Sequence, residues 1–163
     1  MSIIQLPLRK IHYAGYLRSR FKTSRSKPIN LSRDDTLGKF IFNRIQKSDM
    51  PQTSCLVDGW ETVDINIPEA TFFNIETHFI FFTRENVEAI NAEIDYWYEK
   101  EFERFMFSGT KLGIEYKDLI EAFLAYVKVP FDEQKFEQLK KKDYRSRQKF
   151  NEKVVEALKI IGY

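Results

Sequence analysis

The side chains with the clearest chemical potential in this sequence are cations, and they begin at the amino terminus. Residues 1–33 contain eight Lys and Arg residues and no Asp or Glu, so this basic segment carries a charge of +8 (eight minus zero). Its candidate binding residues are Arg18, Arg20, Lys22 and Arg25. Residues 58–107 carry −9 (three basic minus twelve acidic). Positive charge segregated in this way favours a polyanion or an acidic protein surface as a partner, and residues 58–107 are themselves one such surface.

Three aromatic residues, Tyr13, Tyr16 and Phe21, lie among the cations of the basic segment. The residues around them show no clean helical or strand period. Aromatic rings beside Arg are suited to stacking on the bases of single-stranded nucleic acid. The same rings are equally suited to packing on a core while the cations face acidic residues such as those at 99–103. The sequence leaves both interpretations open.

A second basic segment, residues 135–149, has seven cations and two acidic residues. Its cations are Lys135, Lys140, Lys141, Lys142, Arg145, Arg147 and Lys149. Because successive residues of a helix point about 100° apart, the whole run covers about two-thirds of a helix surface and cannot form one stripe. Such a surface can neutralise phosphates, releasing about one counterion for each contact. A solvated helix face and an acidic protein partner are the alternatives.

Residues 115–128, the turn at 129–131 and the basic helix from 132 permit a comparison with the helix-turn-helix motif. That motif usually has a small residue in its turn, whereas Val-Pro-Phe is bulky. The cations also come late in the second helix, whereas base reading usually falls to its amino-terminal end. The pattern therefore favours a plain helical hairpin, and then a pair that contacts the nucleic-acid backbone, over a sequence-reading motif.

Residues of catalytic or metal-binding type are few. His12 and His78 are the only histidines, Cys55 is the only cysteine, and none of them stands at metal-ligand spacing from another. Residues 115–117 and 133–135 match the Glu-x-Lys half of a nuclease signature, but both are predicted at helix starts, and that chemistry needs a strand. The sequence therefore predicts that the protein is not an enzyme and has no metal and no cofactor.

The first half of the chain predicts a small antiparallel sheet and one helix. Residues 2–8 predict an edge strand, since Pro7 is tolerated only at an edge. A helix is predicted from about 33 to 47. Alternation of apolar and polar residues over 63–67 and 71–82 predicts a hairpin.

The strongest periodic pattern predicts a helix from about 84 to 107. Trp97 shares its apolar stripe, so we expect this side chain in the core. Asp95, Glu99 and Glu103 align on one face of the same helix. The pattern favours a solvated face for these three carboxylates.

Two further helices are predicted, at 115–128 and at 132–161, the second with a break near Arg145. The fold class predicted is α+β, a small antiparallel sheet packed by a long amphipathic helix, with a helical carboxy-terminal unit. The predicted layout is an α+β domain over 1–110 and the helical unit over 111–163, packed together as one compact domain.

The composition fits a globular protein, with 43% hydrophobic residues. No apolar run approaches the ~18 residues of a membrane span, so no membrane association is predicted. A lone cysteine fits a reducing compartment, and the predicted location is the cytoplasm, or a viral particle if the protein belongs to a viral assembly.

Two functions remain after these considerations. The first is a non-enzymatic nucleic-acid-binding protein that contacts backbone phosphates through 9–33 and 135–149, of a kind common in phages and mobile elements. The second is a structural or interaction subunit of a larger, even viral, assembly. In that case the basic segment docks on residues 58–107 of a neighbouring copy and forms a homo-oligomer.

Overall fold

The computed structural model of this protein describes residues 2–52, 55–67 and 79–160. These residues form five strands and five helices, which confirms the predicted α+β class. In chain order they are β1 (Ser2–Leu8), α1 (His12–Arg20), β2 (Ile29–Asn30), α2 (Thr36–Phe42), β3 (Gln46–Ser48), β4 (Glu61–Ile67), β5 (Phe79–Phe81), α3 (Arg84–Lys111), α4 (Tyr116–Tyr126) and α5 (Glu133–Ile160). The chain divides into two compact units, Met1–Tyr98 and Glu99–Tyr163, and α3 contributes residues to each.

The larger sheet of the first unit has the strand order β1-β4-β2. β1 runs antiparallel to β4, with Ser2 opposite Ile67 and Leu8 opposite Glu61, and β2 is parallel to β4. The predicted strand at 2–8 and its place at an edge of the described sheet are confirmed.

The part of the predicted hairpin (63–67 with 71–82) that the structure describes does not pair as predicted. Residues 68–78 lie outside the described residues, so most of the second predicted strand is not addressed. β5, which is the described part, pairs antiparallel with β3. β4 pairs with β1 and β2.

The basic segment contributes a helix, α1, that the sequence pattern does not predict. Tyr13, Tyr16 and Leu17 of this helix are fully buried. β1 buries Leu6 and Leu8 in the same unit. The amino-terminal cations therefore belong to a folded part of the chain and do not form an extended arm.

α2 is shorter than the helix predicted at 33–47. It begins after Asp35, whose carboxylate accepts a hydrogen bond from the backbone N–H of Gly38 at 2.9 Å and caps the helix. It ends at Phe42, because the chain then turns into β3.

The amino-terminal part of α3 completes the core of the first unit through Val87, Ile90 and Ile94. Trp97 is only half-buried, so the prediction that it is a core residue is wrong. Its indole N–H donates to Glu93 Oε1 at 2.8 Å, and the Arg20 guanidinium lies 4.9 Å from the ring centroid. The side chain stands at the edge of the apolar stripe, where polar groups reach it.

The second unit consists of the carboxy-terminal part of α3 with α4 and α5. Phe102 and Phe123 pack edge to face, with ring centroids 5.0 Å apart, and both are buried. α5 runs unbroken over 28 residues, so the predicted break near Arg145 is wrong. Leu139 and Asp143 are its buried residues, and every residue from Arg147 to Ile160 is exposed.

Candidate nucleic-acid interface

Several cations of the carboxy-terminal basic segment are held in contacts within the second unit. Lys142 forms an ion pair with Glu99, and Arg147 pairs with Asp143 at 2.7 Å. Lys140 lies 3.5 Å from Glu137. Lys135 lies 2.9 Å from Asp132. These side chains have carboxylate partners already, so they are less available to an external phosphate.

Five cations of α5 have no carboxylate partner among the described residues, and four of them follow one another at four-residue intervals; the fifth, Lys159, stands apart from that spacing. Lys141, Arg145, Lys149 and Lys153 are all exposed, and the described part of the chain provides no carboxylate partner for them. They are spaced four residues apart, which places neighbours about 5–6 Å apart on one side of a helix. From Lys141 to Lys153 the line is about 18 Å long. We call these four residues the cation row.

The sequence pattern predicts three members of the cation row and misses one. Because the seven cations of 135–149 cannot form one stripe, the pattern does not show which of them stay exposed. The other four cations of the segment pair with carboxylates of the second unit. The unpaired cations continue at the same spacing to Lys153, beyond the predicted segment. The i, i+4 spacing from Lys141 is the signal that identifies Lys153.

Two carboxylates lie near the carboxy-terminal end of the cation row. Glu152 accepts a hydrogen bond from the Gln148 side chain at 3.2 Å, and Glu156 is one turn further along. By helical geometry both project into the same arc as the row. The positive potential is therefore greatest between Lys141 and Lys149.

The three carboxylates predicted to form a solvated face are in fact engaged by neighbouring side chains. Asp95 accepts from Lys10 Nζ at 2.6 Å and from the Tyr13 hydroxyl at 2.7 Å. Glu103 accepts from the Ser146 hydroxyl at 2.9 Å. Glu99 pairs with Lys142, as described above. The prediction of a solvated face is wrong because helical spacing alone does not show which elements pack beside the helix.

Packing also shifts the pKa of Glu103 and of Tyr13, which is the hydrogen-bond partner of Asp95. Burial raises the pKa of Glu103, but hydrogen bonds from Lys100 and Ser146 lower it by more, so the net pKa is below its ordinary value. Burial, followed by the hydrogen bond to Asp95, raises the pKa of Tyr13 well above its usual range. Glu103 is therefore ionised and Tyr13 is neutral at pH 7, as their contacts require.

Two of the predicted binding residues in the amino-terminal basic segment serve the fold. Arg20 pairs with Asp35 at 2.8 Å and donates to the Tyr16 hydroxyl at 2.8 Å. Arg18 donates to the backbone carbonyls of Ser24 and Lys27 at 2.8 and 2.7 Å. The buried rings of Tyr13 and Tyr16 are likewise structural and are not available for stacking on bases.

The loop that Arg18 holds in place exposes the other cations of this segment. Lys22, Arg25 and Lys27 are all exposed on residues 22–27, which we call the basic loop. Lys22 has a positive φ of 49°, which turns the chain at the end of α1. The basic loop therefore presents three cations on a braced backbone, and Lys27 is a member that the sequence prediction did not include.

The segment compared with a helix-turn-helix has a bulky connection. Val127 and Val129, between α4 and α5, are buried, and Lys128 between them has a positive φ of 55°. The Tyr116 hydroxyl at the start of α4 donates to the Lys140 carbonyl of α5 at 3.3 Å. The connection is a packed part of the second unit, and the cation row begins two turns into α5.

The described residues contain no group of three or more His, Cys, Asp or Glu side chains able to hold a metal ion. His12 stacks obliquely on Tyr98, with ring centroids 4.8 Å apart, and is half-buried. Cys55 is half-buried, and His78 lies outside the described residues. Within the described ranges, no helix combines the length and apolar character needed to cross a membrane.

Comparisons with known proteins assign no relative to this chain. No protein-family model, curated protein or solved structure matches it.

Proposed function

We propose that this protein is a non-enzymatic nucleic-acid-binding protein that contacts backbone phosphates through the cation row of α5. The observation that carries the proposal is the sorting of the cations. Four of the nine cations of α5 are paired with carboxylates, and four of the other five follow one another at four-residue intervals over about 18 Å. Duplex DNA presents one phosphate per about 3.4 Å of each strand, so such a line spans roughly five phosphates of one strand.

The chemistry of the cation row suits backbone contacts more than base reading. Three of its members are Lys, a compact charge on a flexible stem that makes few directional demands. Base reading depends on side chains with bidentate geometry, such as Arg on guanine or Asn and Gln on adenine. A row of this kind therefore supplies affinity that varies little with sequence and falls steeply as the salt concentration rises.

The salt dependence gives a quantitative expectation. Four phosphate contacts contribute a slope of about −3.6 in log affinity against log salt for duplex DNA, and about −2.8 for a single strand. Changing Lys141, Arg145, Lys149 and Lys153 to Gln should flatten the slope by these amounts. The measurement is binding to labelled duplex and single-stranded oligonucleotides at several salt concentrations.

A matched control separates the position of the charges from the loss of net charge. Lys39, Arg84, Lys111 and Lys117 are exposed cations outside the row, and their change to Gln removes the same total charge. We expect the control variant to keep most of the parent slope. Equal effects of the two variants, or a row variant that binds as the parent does, would rule out the cation row as the site.

The basic loop provides a second, separately testable contribution. Changing Lys22, Arg25 and Lys27 to Gln leaves the Arg18 contacts in place, because Arg18 donates to backbone carbonyls. We expect a further, smaller reduction of the slope. Loss of all binding in this variant while the row is intact would move the site to the first unit.

A further inference from the structure

One exposed tyrosine stands beside the cation row. Tyr144 of α5 is 70% exposed. The other six tyrosines of the described ranges each have a hydrogen bond or a ring contact, and these are Tyr13, Tyr16, Tyr96, Tyr98, Tyr116 and Tyr126. Tyr144 forms neither with any described residue. Its ring is therefore open to a ligand.

The helical neighbours of Tyr144 are all polar. Residues three and four positions away lie beside a side chain on the surface of a helix. For Tyr144 these neighbours are Lys140, Lys141, Arg147 and Gln148. A site for an apolar protein surface would instead place further apolar side chains next to the ring. A single ring among three cations and an amide favours a ligand that is both aromatic and negatively charged.

The ring and its neighbours also line a shallow depression in the surface of the second unit. The depression has a volume of about 580 Å³. Its aromatic and cationic lining consists of Tyr116 from α4 and Lys140, Lys141, Tyr144, Arg145 and Arg147 from α5. The Tyr116 hydroxyl donates to the Lys140 carbonyl at 3.3 Å, which joins the two helices at this point. The site is thus concave and partly braced by a second helix.

Two carboxylates of the lining are already paired. Glu137 lies 3.5 Å from Lys140, and Asp143 pairs with Arg147 at 2.7 Å. Lys141 and Arg145, which belong to the cation row, have no carboxylate partner among the described residues. The uncompensated positive charge of the depression therefore lies next to the Tyr144 ring.

A nucleotide combines the two properties that this site favours. Its base is a flat aromatic group, and its phosphate carries the negative charge. Proteins that bind single strands pair a cationic groove for the backbone with aromatic side chains on which bases stack. In a duplex the faces of each base are covered by the neighbouring base pairs, so stacking on a protein ring requires a base to be displaced at a cost in free energy. An unpaired strand offers its base faces directly.

We propose that the cation row binds single-stranded nucleic acid, with one base stacked on Tyr144 and the adjacent phosphates on Lys141 and Arg145. This inference rests on the proposed function and names the form of nucleic acid that the site takes. Stacking of this kind tolerates any base, because every base has an aromatic face. Tyr144 therefore adds affinity for an unpaired strand without adding sequence preference.

The test measures binding of the full chain to three labelled oligonucleotides of equal length by fluorescence anisotropy. They are an oligothymidine strand, a strand in which abasic sites replace all the bases, and a duplex. The two single strands carry the same phosphate charge. We expect the protein to bind oligothymidine about five- to 150-fold more tightly than the abasic strand. Tyr144→Ala should remove this difference and leave the affinity for the abasic strand and for the duplex nearly unchanged.

Matched variants separate stacking from other effects of the substitution. Tyr144→Phe keeps the ring and should bind oligothymidine as the parent does. Phe107→Ala removes an exposed ring of the same unit outside the cation row and should also bind as the parent does. Both side chains are exposed, so the fold should be kept, which circular dichroism checks. The Gln variant of the cation row should weaken binding to all three oligonucleotides.

The outcomes distinguish this inference from the proposed function. Equal affinity of the parent for oligothymidine and the abasic strand would overturn the stacking on Tyr144, and so would a Tyr144→Ala loss that is the same on both strands. Either result, with binding that the Gln variant of the cation row weakens, leaves the proposed function in place. No binding to any of the three oligonucleotides would overturn the proposed function, and this inference with it.

Discussion

Asn91 offers a quantitative test of how the first unit holds its edge strand. This α3 side chain is fully buried, and its amide forms three hydrogen bonds. Nδ2 donates to the Pro7 carbonyl at 2.9 Å and to the Val87 carbonyl at 2.8 Å, and Oδ1 accepts from the Arg9 N–H at 2.7 Å. One side chain thus joins the end of β1 to α3.

The cost of Asn91→Ala follows from the groups that it leaves without a partner. The Pro7 carbonyl and the Arg9 N–H each lose the bond that Asn91 supplies, whereas the Val87 carbonyl keeps its place in the helix. Leaving a buried polar group unsatisfied costs about 1–3 kcal/mol. Arg9 lies near solvent and recovers part of its share, so we expect a total loss of about 2–4 kcal/mol in the free energy of unfolding.

Asn91→Asp separates the hydrogen bonds from the volume of the side chain. The carboxylate still accepts from Arg9 but faces the Pro7 and Val87 carbonyls without a proton to donate. Burial raises the pKa of such a group above its unfolded value, so its protonated form is favoured in the fold. We therefore expect this variant to be least stable near pH 7 and to recover stability toward pH 5.

The assay is urea unfolding followed by tryptophan fluorescence. Both tryptophans, Trp60 and Trp97, lie in the first unit, so the signal reports the unit that contains Asn91. Asn43→Ala, at an exposed amide of the same unit, is the matched control and should change stability by less than about 0.5 kcal/mol. An Asn91→Ala variant with the midpoint and slope of that control would show that these three bonds do not hold β1.

Three further outcomes follow from other contacts. The lowered pKa of Glu103 means that its contacts stabilise the fold above the unfolded carboxyl pKa and lose this effect as pH falls through the folded pKa. Glu103→Gln should therefore cost about 0.5–1 kcal/mol at pH 7 and progressively less as the pH falls through the folded pKa, measured by urea unfolding at each pH. Gly38→Ala should lower the melting temperature, with a cost of about 1–3 kcal/mol, because the new Cβ would lie 2.1 Å from the Ser32 carbonyl oxygen. Phe102→Ala, at a side chain 1% exposed, should cost about 3–5 kcal/mol in chemical unfolding, and half-buried Trp97→Ala should cost clearly less.

The elements that the sequence predicts are those with a strong local period. The alternation of β4 and the apolar stripe of α3 each identify an element without knowledge of its neighbours. α1 has only a short stripe, Tyr13, Tyr16 and Leu17, in a helix of nine residues whose other positions include several cations. Its helical conformation is set by tertiary packing, which a local pattern does not contain.

The sequence likewise predicts only part of the candidate site. Composition identifies both basic segments, but only the fold shows which cations are already paired. Lys142 and Arg145 look alike in the sequence, yet Lys142 pairs with Glu99, 43 residues away, and Arg145 has no carboxylate partner among the described residues. Exposure of a charge depends on long-range contacts, and these become visible only when the fold is known.

The pairing of β1 with β4 has a consequence for biosynthesis. About sixty residues separate the two strands, and at ribosomal rates of about 5–20 residues per second β1 waits roughly 3–12 s for its partner. During that interval its Ile and Leu side chains could recruit other unpaired strands. Pro7 blocks one position of the strand and Arg9 and Lys10 follow it at once, an arrangement that hinders aggregation. Positive charge directly after an unpaired strand makes pairing with another such strand less favourable.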